Sequence, residues 1–323
     1  EGDTMVALGD GCTALCPIAV PEDLDCRPGL DAGCQTDLFQ LVADPQGNLH
    51  LFGEASQGNA YYQHWPIGGE LSGAEMLTGT LMSTLSAASD AEGDLALAWS
   101  QRIANTSSTW MVSTRKRPAG GAWSTALPVG PGYRPELASD GQGQLHMVYF
   151  EREPIGPTTT RLLYRVQNAS GHWSATEEIA DLPSDVLDFS LAAQADGAVY
   201  VFWVERPTGM VGIVHLAYRV RSVTGVWSQK QVAAEATVIY NPQVRIDVRN
   251  NVHVVWSYHP TSYYMMKSPG QGWTEPMSLG LDSSAVVMDA AETLYVVSFA
   301  QSMGLPLGSA YWGYRAKPRD SNW

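Results

Sequence analysis

The stretch Pro135–Asp181, PELASDGQGQLHMVYFEREPIGPTTTRLLYRVQNASGHWSATEEIAD, decides how the rest of the chain is read. Leu137–Asp140 is a short run ending at Asp140-Gly141-Gln142-Gly143. There an aspartate can accept hydrogen bonds from turn amides, and a glycine supplies the positive φ of a tight reversal. Leu145–Tyr149 follows with β-branched, aromatic and aliphatic residues, then a polar loop, then Leu162–Val166. Gly171-His172-Trp173-Ser174 reads as a second hairpin whose tryptophan opens a fourth strand. Four antiparallel strands in so short a span make one blade of a β-propeller.

The same four strands recur along nearly the whole sequence. The position of Asp140 is held in turn by Asp44, Asp90, Asp140, Gln194, Asp247 and Asp289. Second strands follow in register as NLHLF, DLALAW, QLHMVY, AVYVFW, NVHVVW and TLYVVS. The position of Trp173 is held by Leu71, Trp123, Trp173, Trp227, Trp273 and Trp323. Self-similarity at so nearly constant a period marks an array of blades. The expectation is an all-β, six-bladed propeller of four-stranded antiparallel blades over residues 37–323, with most tryptophans packing between blades.

Composition agrees. With 323 residues, 45% apolar content, 31 glycines and 19 prolines, the chain can bury a large core and shows no long 3.6-period stripe. Nineteen basic against 33 acidic residues give a net charge of −14, which argues against nucleic acid and anionic membrane as partners. No apolar run approaches a membrane span.

The segment before the first repeat, positions 1–36, holds all four cysteines, Cys12, Cys16, Cys26 and Cys34. Two disulfides are expected, with three possible pairings that the spacing leaves open, and hence an oxidising compartment. Without a visible signal peptide the chain reads as the mature form of an exported protein, secreted, periplasmic or at the cell surface. The chain stops at Trp323, where the last blade's fourth strand should begin, and Thr4–Leu8 (TMVAL) is the candidate to supply it. Counted from Trp323 through the N-terminus to Asp44, the path is longer than the Trp-to-Asp connection of the other blades. The excess is close to the length of the Cys12–Cys34 segment. Residues 1–9 are therefore expected as the closing strand, removing an exposed edge, and 10–36 as a Cys-rich insertion.

Alternation of strands puts the Asp and Trp turns on one face. The loops between strands two and three, and those joining blades, lie on the other, where variable loops on a rigid scaffold bind ligands. Two sets of polar residues fall on that loop face. Just after strand two come Arg102, Glu151-Arg152, Glu205-Arg206 and Tyr258-His259. Three arginines from consecutive blades suit an anionic ligand, and the plainer expectation is that Glu151 and Glu205 pair with arginines of neighbouring blades. Seven and six positions before the Asp column, at the channel mouth, lie Tyr133-Arg134, Leu187-Asp188 and Tyr240-Asn241, with Asp37 and Asp282. Carboxylates, tyrosines and an arginine around one opening suit a sugar site or a glycosidase.

Other features read as structure. His50, His146 and His253 occupy one column in alternate blades and are expected to be packed histidines. Asp90, Glu92 and Asp94, or Asp23, Asp25 and Asp31, do not complete a calcium loop. No phosphate-cradling glycine loop precedes a helix. Neither metal nor cofactor is expected.

The repeated Asp-x-x-Gly-x-Leu/Val-His-x-x-Trp, followed by Tyr-Arg and Gly-x-Trp-Ser, resembles the sialidase-like (BNR-repeat) six-bladed propellers from about residue 37 to 323. The Asp box of that superfamily survives in degenerate form, as Ser268-Pro269-Gly270-Gln271-Gly272-Trp273-Thr274 and Asn168-Ala169-Ser170-Gly171-His172-Trp173-Ser174. The Arg-Ile-Pro entry of true sialidases is missing; Arg134-Pro135 lies in the third repeat. Some polysaccharide lyases share similar repeats and use His, Tyr and Arg, for which Tyr258, His259 and Arg152 are the nearest matches. Two functions follow as expectations. The first is an exported module binding glycan or protein on its loop face; the alternative is a carbohydrate-active enzyme, glycoside hydrolase or lyase, at the channel mouth.

Overall fold

The computed structural model describes residues 39–55, 59–77, 82–103, 110–152, 160–168, 170–182, 186–207, 209–258, 261–280, 285–288, 292–301 and 310–318. Six antiparallel sheets follow one another along the chain. Blade 1 holds β1 (Phe39–Ala43), β2 (Leu49–Ala55), β3 (Asn59–Trp65) and β4 (Glu75–Met76); blade 2 holds β5 (Met82–Ser89), β6 (Leu95–Arg102), β7 (Trp110–Arg117) and β8 (Leu127–Pro131). Blade 3 is β9 (Tyr133–Ser139), β10 (Leu145–Arg152), β11 (Thr160–Gln167) and β12 (Glu177–Leu182); blade 4 is β13 (Asp188–Ala193), β14 (Val199–Glu205), β15 (Val214–Arg221) and β16 (Gln231–Ala236). Blade 5 is β17 (Tyr240–Ile246), β18 (Val252–Tyr258), β19 (Thr261–Lys267) and β20 (Met277–Ser278); blade 6 shows β21 (Ala285–Met288), β22 (Leu294–Gln301) and β23 (Ala310–Lys317). Each blade is a meander, and the first strands pack against the first strands of adjacent blades, so they line the centre. Among the described residues no helix is long and apolar enough to cross a membrane. The four cysteines, Thr4–Leu8 and Trp323 lie outside the described residues.

The Asp column works as its turn chemistry requires. Asp44 Oδ1 accepts from the amides of Gln46 (3.0 Å) and Asn48 (2.8 Å), and Asp140 Oδ1 from those of Gln142 (2.9 Å) and Gln144 (2.8 Å). Asp90 and Asp247 repeat the pattern with the amides two and four positions further on. The turn ends in a positive φ, at Gly143 (74°) in blade 3 and at Asn250 (63°) in blade 5, asparagine being one of the few non-glycine residues that tolerate it.

The three histidines are packed, as expected, and each joins its blade's turn to the third strand. His146 Nε2 lies 3.2 Å from Asp140 Oδ2, and its Nδ1 lies 2.7 Å from the Tyr164 hydroxyl. His50 bridges Asp44 (3.2 Å) and Tyr62 (2.9 Å), and His253 bridges Asp247 (3.4 Å) and Tyr264 (2.9 Å). Burial pushes His50 and His253 below the usual histidine range, so the neutral ring is favoured. Burial also pushes the aspartates up, but hydrogen bonds from the turn and from the histidine outweigh it, leaving Asp44, Asp140 and Asp247 low. Asp90, in a blade with Ala96 in place of the histidine, is raised by burial.

Adjacent blades interlock through the Trp column. Trp123 of blade 2 meets Phe52 and Tyr62 of blade 1 edge-on at 6.0 and 5.5 Å; Trp227 of blade 4 meets Tyr164 of blade 3 at 5.2 Å; Trp273 of blade 5 meets Tyr218 of blade 4 at 5.6 Å. A cation from the same blade as the tryptophan covers the same tyrosine: Arg117 on Tyr62 (4.8 Å), Arg221 on Tyr164 (5.1 Å), Lys267 on Tyr218 (5.6 Å). Five apolar clusters of buried residues are each shared by two successive blades. The tryptophans do not open the fourth strands, as the sequence suggested. Trp173, Trp227 and Trp273 each form a lone bridge to the end of strand three, and β12, β16 and β20 begin four positions later, because the indole turns inward against the preceding blade.

Candidate functional site at the channel mouth

The mouth residues of blades 3, 4 and 5 come together. Tyr133 and Arg134 open β9, Asp188 opens β13, and Tyr240 and Asn241 open β17. In β9 and β17 the register slips next to the second strand at this point, leaving a bulge over Arg134-Pro135 and Asn241-Pro242. Arg134 (φ 52°) and Asn241 (φ 46°) are both left-handed. For a residue before proline that conformation is disfavoured, and such strain persists only where surrounding contacts fix it. Here the contact is Asp188: Arg134 Nη2 donates to Asp188 Oδ1 at 2.5 Å and Nη1 to the Leu187 carbonyl at 3.1 Å, while the Asn241 amide donates to Asp188 Oδ2 at 3.0 Å. Three blades thus converge on one carboxylate. Tyr133 packs its ring on Phe150 at 5.5 Å, whereas Tyr240 is 53% exposed. Tyr258, 37% exposed, stands beside this end of blade 5 with its hydroxyl 3.4 Å from Thr237 Oγ1.

The set just after strand two is dispersed. Glu151 and Glu205 do not pair with arginines of neighbouring blades: Glu151 bonds Arg161 across the β10–β11 ladder of its own blade, and Glu205 bonds Lys230 at 2.6 Å and Trp203 Nε1 at 2.8 Å. Each carboxylate thus meets a cation of its own blade, Arg161 across the hairpin for Glu151 and Lys230 just ahead of β16 for Glu205. Arg102 is exposed with its guanidinium 5.4 Å from the Trp110 ring, and Arg206 is exposed. The backbone of Arg152 ends the β10–β11 ladder opposite Thr160. His259, Asp37 and Asp282 lie outside the described residues.

A deeper ring escaped the sequence reading. Four positions before the Asp column stand Gln40, Ser86, Glu136, Ser190, Gln243 and Ala285. Each polar member accepts from a first-strand amide of the next blade: Gln40 Oε1 from Ala87 (2.8 Å), Ser86 Oγ from Leu137 (2.9 Å), Glu136 Oε1 from Leu191 (3.1 Å), Ser190 Oγ from Val244 (3.2 Å), and Gln243 Oε1 from Val286 (2.8 Å). The polar column was visible in the repeat alignment, but only the packed blades show what it bonds to. Its one ionisable member, Glu136, also takes a hydrogen bond from Ser190 Oγ at 3.0 Å. Burial pushes its carboxyl up to about 7, against the pull of these bonds and of Arg245.

No family model matches the chain, and no curated protein matches it. Solved structures do match in fold. The fucose-binding six-bladed lectin of Aleuria aurantia aligns with a TM-score of 0.57 at 11% identity over 88% of this chain and 96% of the lectin. The α-L-arabinanase of Penicillium chrysogenum, solved with arabinobiose, aligns with a TM-score of 0.57 at 14% identity over 88% and 93%. AofleA of Arthrobotrys oligospora, in a form with three arginines replaced by alanine, aligns with a TM-score of 0.53 at 14% identity over 88% and 87%. At such identities likeness speaks for architecture alone, and together with the chain's own six sheets it shows that this protein has the fold of the six-bladed β-propellers.

Proposed function

We propose that this protein is a carbohydrate-binding propeller whose ligand sits on the mouth formed by Arg134, Asp188, Tyr240 and Asn241. The observation that carries this reading is the pair of left-handed, pre-proline residues at equivalent positions in blades 3 and 5, both bonded to Asp188 from the intervening blade. The contacts that fix these strained residues set a carboxylate and a guanidinium against the strand that carries the exposed Tyr240, which would give sugar hydroxyls charged partners and the apolar sugar face an aromatic ring. The likeness to the fucose-binding lectin supports the class. Arg102, Arg152 and Arg206, on consecutive blades, would extend the same loop face.

One observation favours a hydrolase instead: two carboxyl groups, Asp188 and Glu136, come from successive first strands, and the arabinanase likeness has the same fold. Glu136, however, has Oε1 committed to Leu191 and Ser190, so binding without turnover is the better reading. A glycan array with the wild type, Arg134→Ala and Tyr240→Ala, alongside reducing-end and unsaturated-product assays on polysaccharides, decides between them. Binding lost in both variants and no turnover is expected; turnover lost in Asp188→Asn would establish the enzyme, and silence on every glycan would leave a protein ligand. The same reading has the chain exported, with its cysteines paired in the 10–36 segment and Thr4–Leu8 completing blade 6. Peptide mapping without reduction that finds free thiols would overturn that part.

A further inference from the structure

Among the described residues the six first strands, which line the centre, carry only four charged side chains: Arg134 and Glu136 on β9, Asp188 on β13 and Arg245 on β17. Two are cations and two are carboxyls, and β1, β5 and β21 hold none. Arg134 and Asp188 face each other at the mouth, and Glu136 and Arg245, on strands either side of blade 4, act on each other below it. The lining therefore offers an incoming ligand no surplus of positive charge.

The one cation at the mouth is already engaged. Arg134 donates from Nη2 to Asp188 Oδ1 at 2.5 Å and from Nη1 to the Leu187 carbonyl at 3.1 Å. Its guanidinium carbon lies 5.9 Å from the ring centres of both Phe150 and Phe189. Asp188 is bound as fully: Oδ1 also accepts from the Phe189 amide at 3.1 Å, and Oδ2 from the Asn241 amide at 3.0 Å. A ligand carboxylate is captured by a guanidinium fork that has no carboxylate of its own. Here it would have to compete with Asp188 for Arg134 and stand beside that like charge while doing so. The net charge of −14 adds repulsion at longer range.

We infer that, on the reading that a glycan binds this mouth, its ligand is an uncharged sugar, and that Asp188 sets this specificity by occupying Arg134 and so keeping uronic and sialic acids out. A neutral sugar meets no such conflict. The N–H groups of Arg134 that bond neither Asp188 nor Leu187 remain as donors to hydroxyls, on a side chain that is 41% exposed. The exposed Tyr240 ring suits the apolar face of a sugar whatever its charge. Selection by charge thus falls to the Arg134–Asp188 pair alone.

The test is an array of matched pairs probed with the whole protein at pH 8, each pair a neutral oligosaccharide and its uronic acid counterpart, with sialylated and desialylated glycans beside them. The wild type should capture the neutral member about tenfold or more better than the acidic one. That capture should change little from low to high salt. Asp188→Asn keeps the shape and an acceptor for the Asn241 amide but removes the counter-charge of Arg134. The neutral-to-acidic ratio should then fall about tenfold, and the acidic capture so gained should be lost in high salt. A wild-type preference for acidic members that disappears in Tyr240→Ala would overturn the neutral class while leaving the mouth a glycan site. An unchanged ratio in Asp188→Asn would overturn the role given to Asp188. Capture of neither class would refute the mouth itself, and the specificity with it. If Asp188→Asn fails to fold, the wild-type ratio and its salt dependence still decide.

Discussion

Replacing Tyr164 by Phe isolates what the Asp–His–Tyr triads contribute. The ring stays, with Trp227 at 5.2 Å and Arg221 at 5.1 Å, and only the hydroxyl 2.7 Å from His146 Nδ1 is lost. His146 is 2% exposed, so no water replaces that partner, and a buried polar atom left unsatisfied costs roughly 1–3 kcal/mol. Urea unfolding at pH 7.5 should show this loss as a lower midpoint with an unchanged slope. Tyr218→Phe is the comparison within the same fold: its hydroxyl donates to Gln231, an exposed side chain, at 2.6 Å and accepts from Lys267 Nζ at 3.2 Å, and water can satisfy both partners in its place. That loss should stay below about 1 kcal/mol. A double-mutant cycle of Tyr164→Phe with His146→Leu should give a coupling of about 0.5–3 kcal/mol. Equal losses at Tyr164 and Tyr218 with no coupling would show that the triads add nothing beyond ring packing.

Stability should fall at both ends of the pH scale for different residues. His50 and His253 are held below 6.5, so as pH falls through that value the unfolded chain binds protons that the folded one refuses, and stability drops; Asp44, Asp140 and Asp247 add to the loss below 3.8. Glu136 runs the other way, its contribution complete below 4.5 and lost as pH rises through about 7, so thermal melts of Glu136→Gln should lack that alkaline decline. Trp227→Phe should cost more than Trp273→Phe by about 1–2 kcal/mol in urea, because Trp227 Nε1 donates to Glu177 at 2.7 Å while Trp273 Nε1 is buried without a partner. Arg134→Ala should shift stability by less than about 1 kcal/mol, its side chain being 41% exposed in the bridge to Asp188, while ligand capture on the array is lost.

The architecture was legible because a propeller repeats one local pattern. His146 follows Asp140 by six positions and Trp173 follows Tyr164 by nine, as in the equivalent pairs of other blades, and each offset is set by a turn and a strand period that a single blade contains. The candidate site was legible in part. Aligning Tyr133-Arg134-Pro135 with Tyr240-Asn241-Pro242 placed both at the mouth, and Asp188 came with them from the same column. The sequence also offered Glu151 and Glu205 as inter-blade partners, and this failed because each meets a cation of its own blade, Arg161 standing across the strand pair from Glu151.

By itself, the sequence determined the number of blades, the strands within each, the two faces and the residues at the channel mouth, all of which depend on contacts between residues close in the chain. Only the tertiary structure decided which side chains meet across blades. Arg134 bonds Asp188, Glu136 bonds Leu191, and the left-handed turn of Asn241 makes sense only against the Asp188 carboxylate, each pair a whole blade apart in the chain. Whether a column of Gln, Ser and Glu is a solvated rim or a ring of joints depends on closure of the sheets around one axis, and no local periodicity encodes that distance.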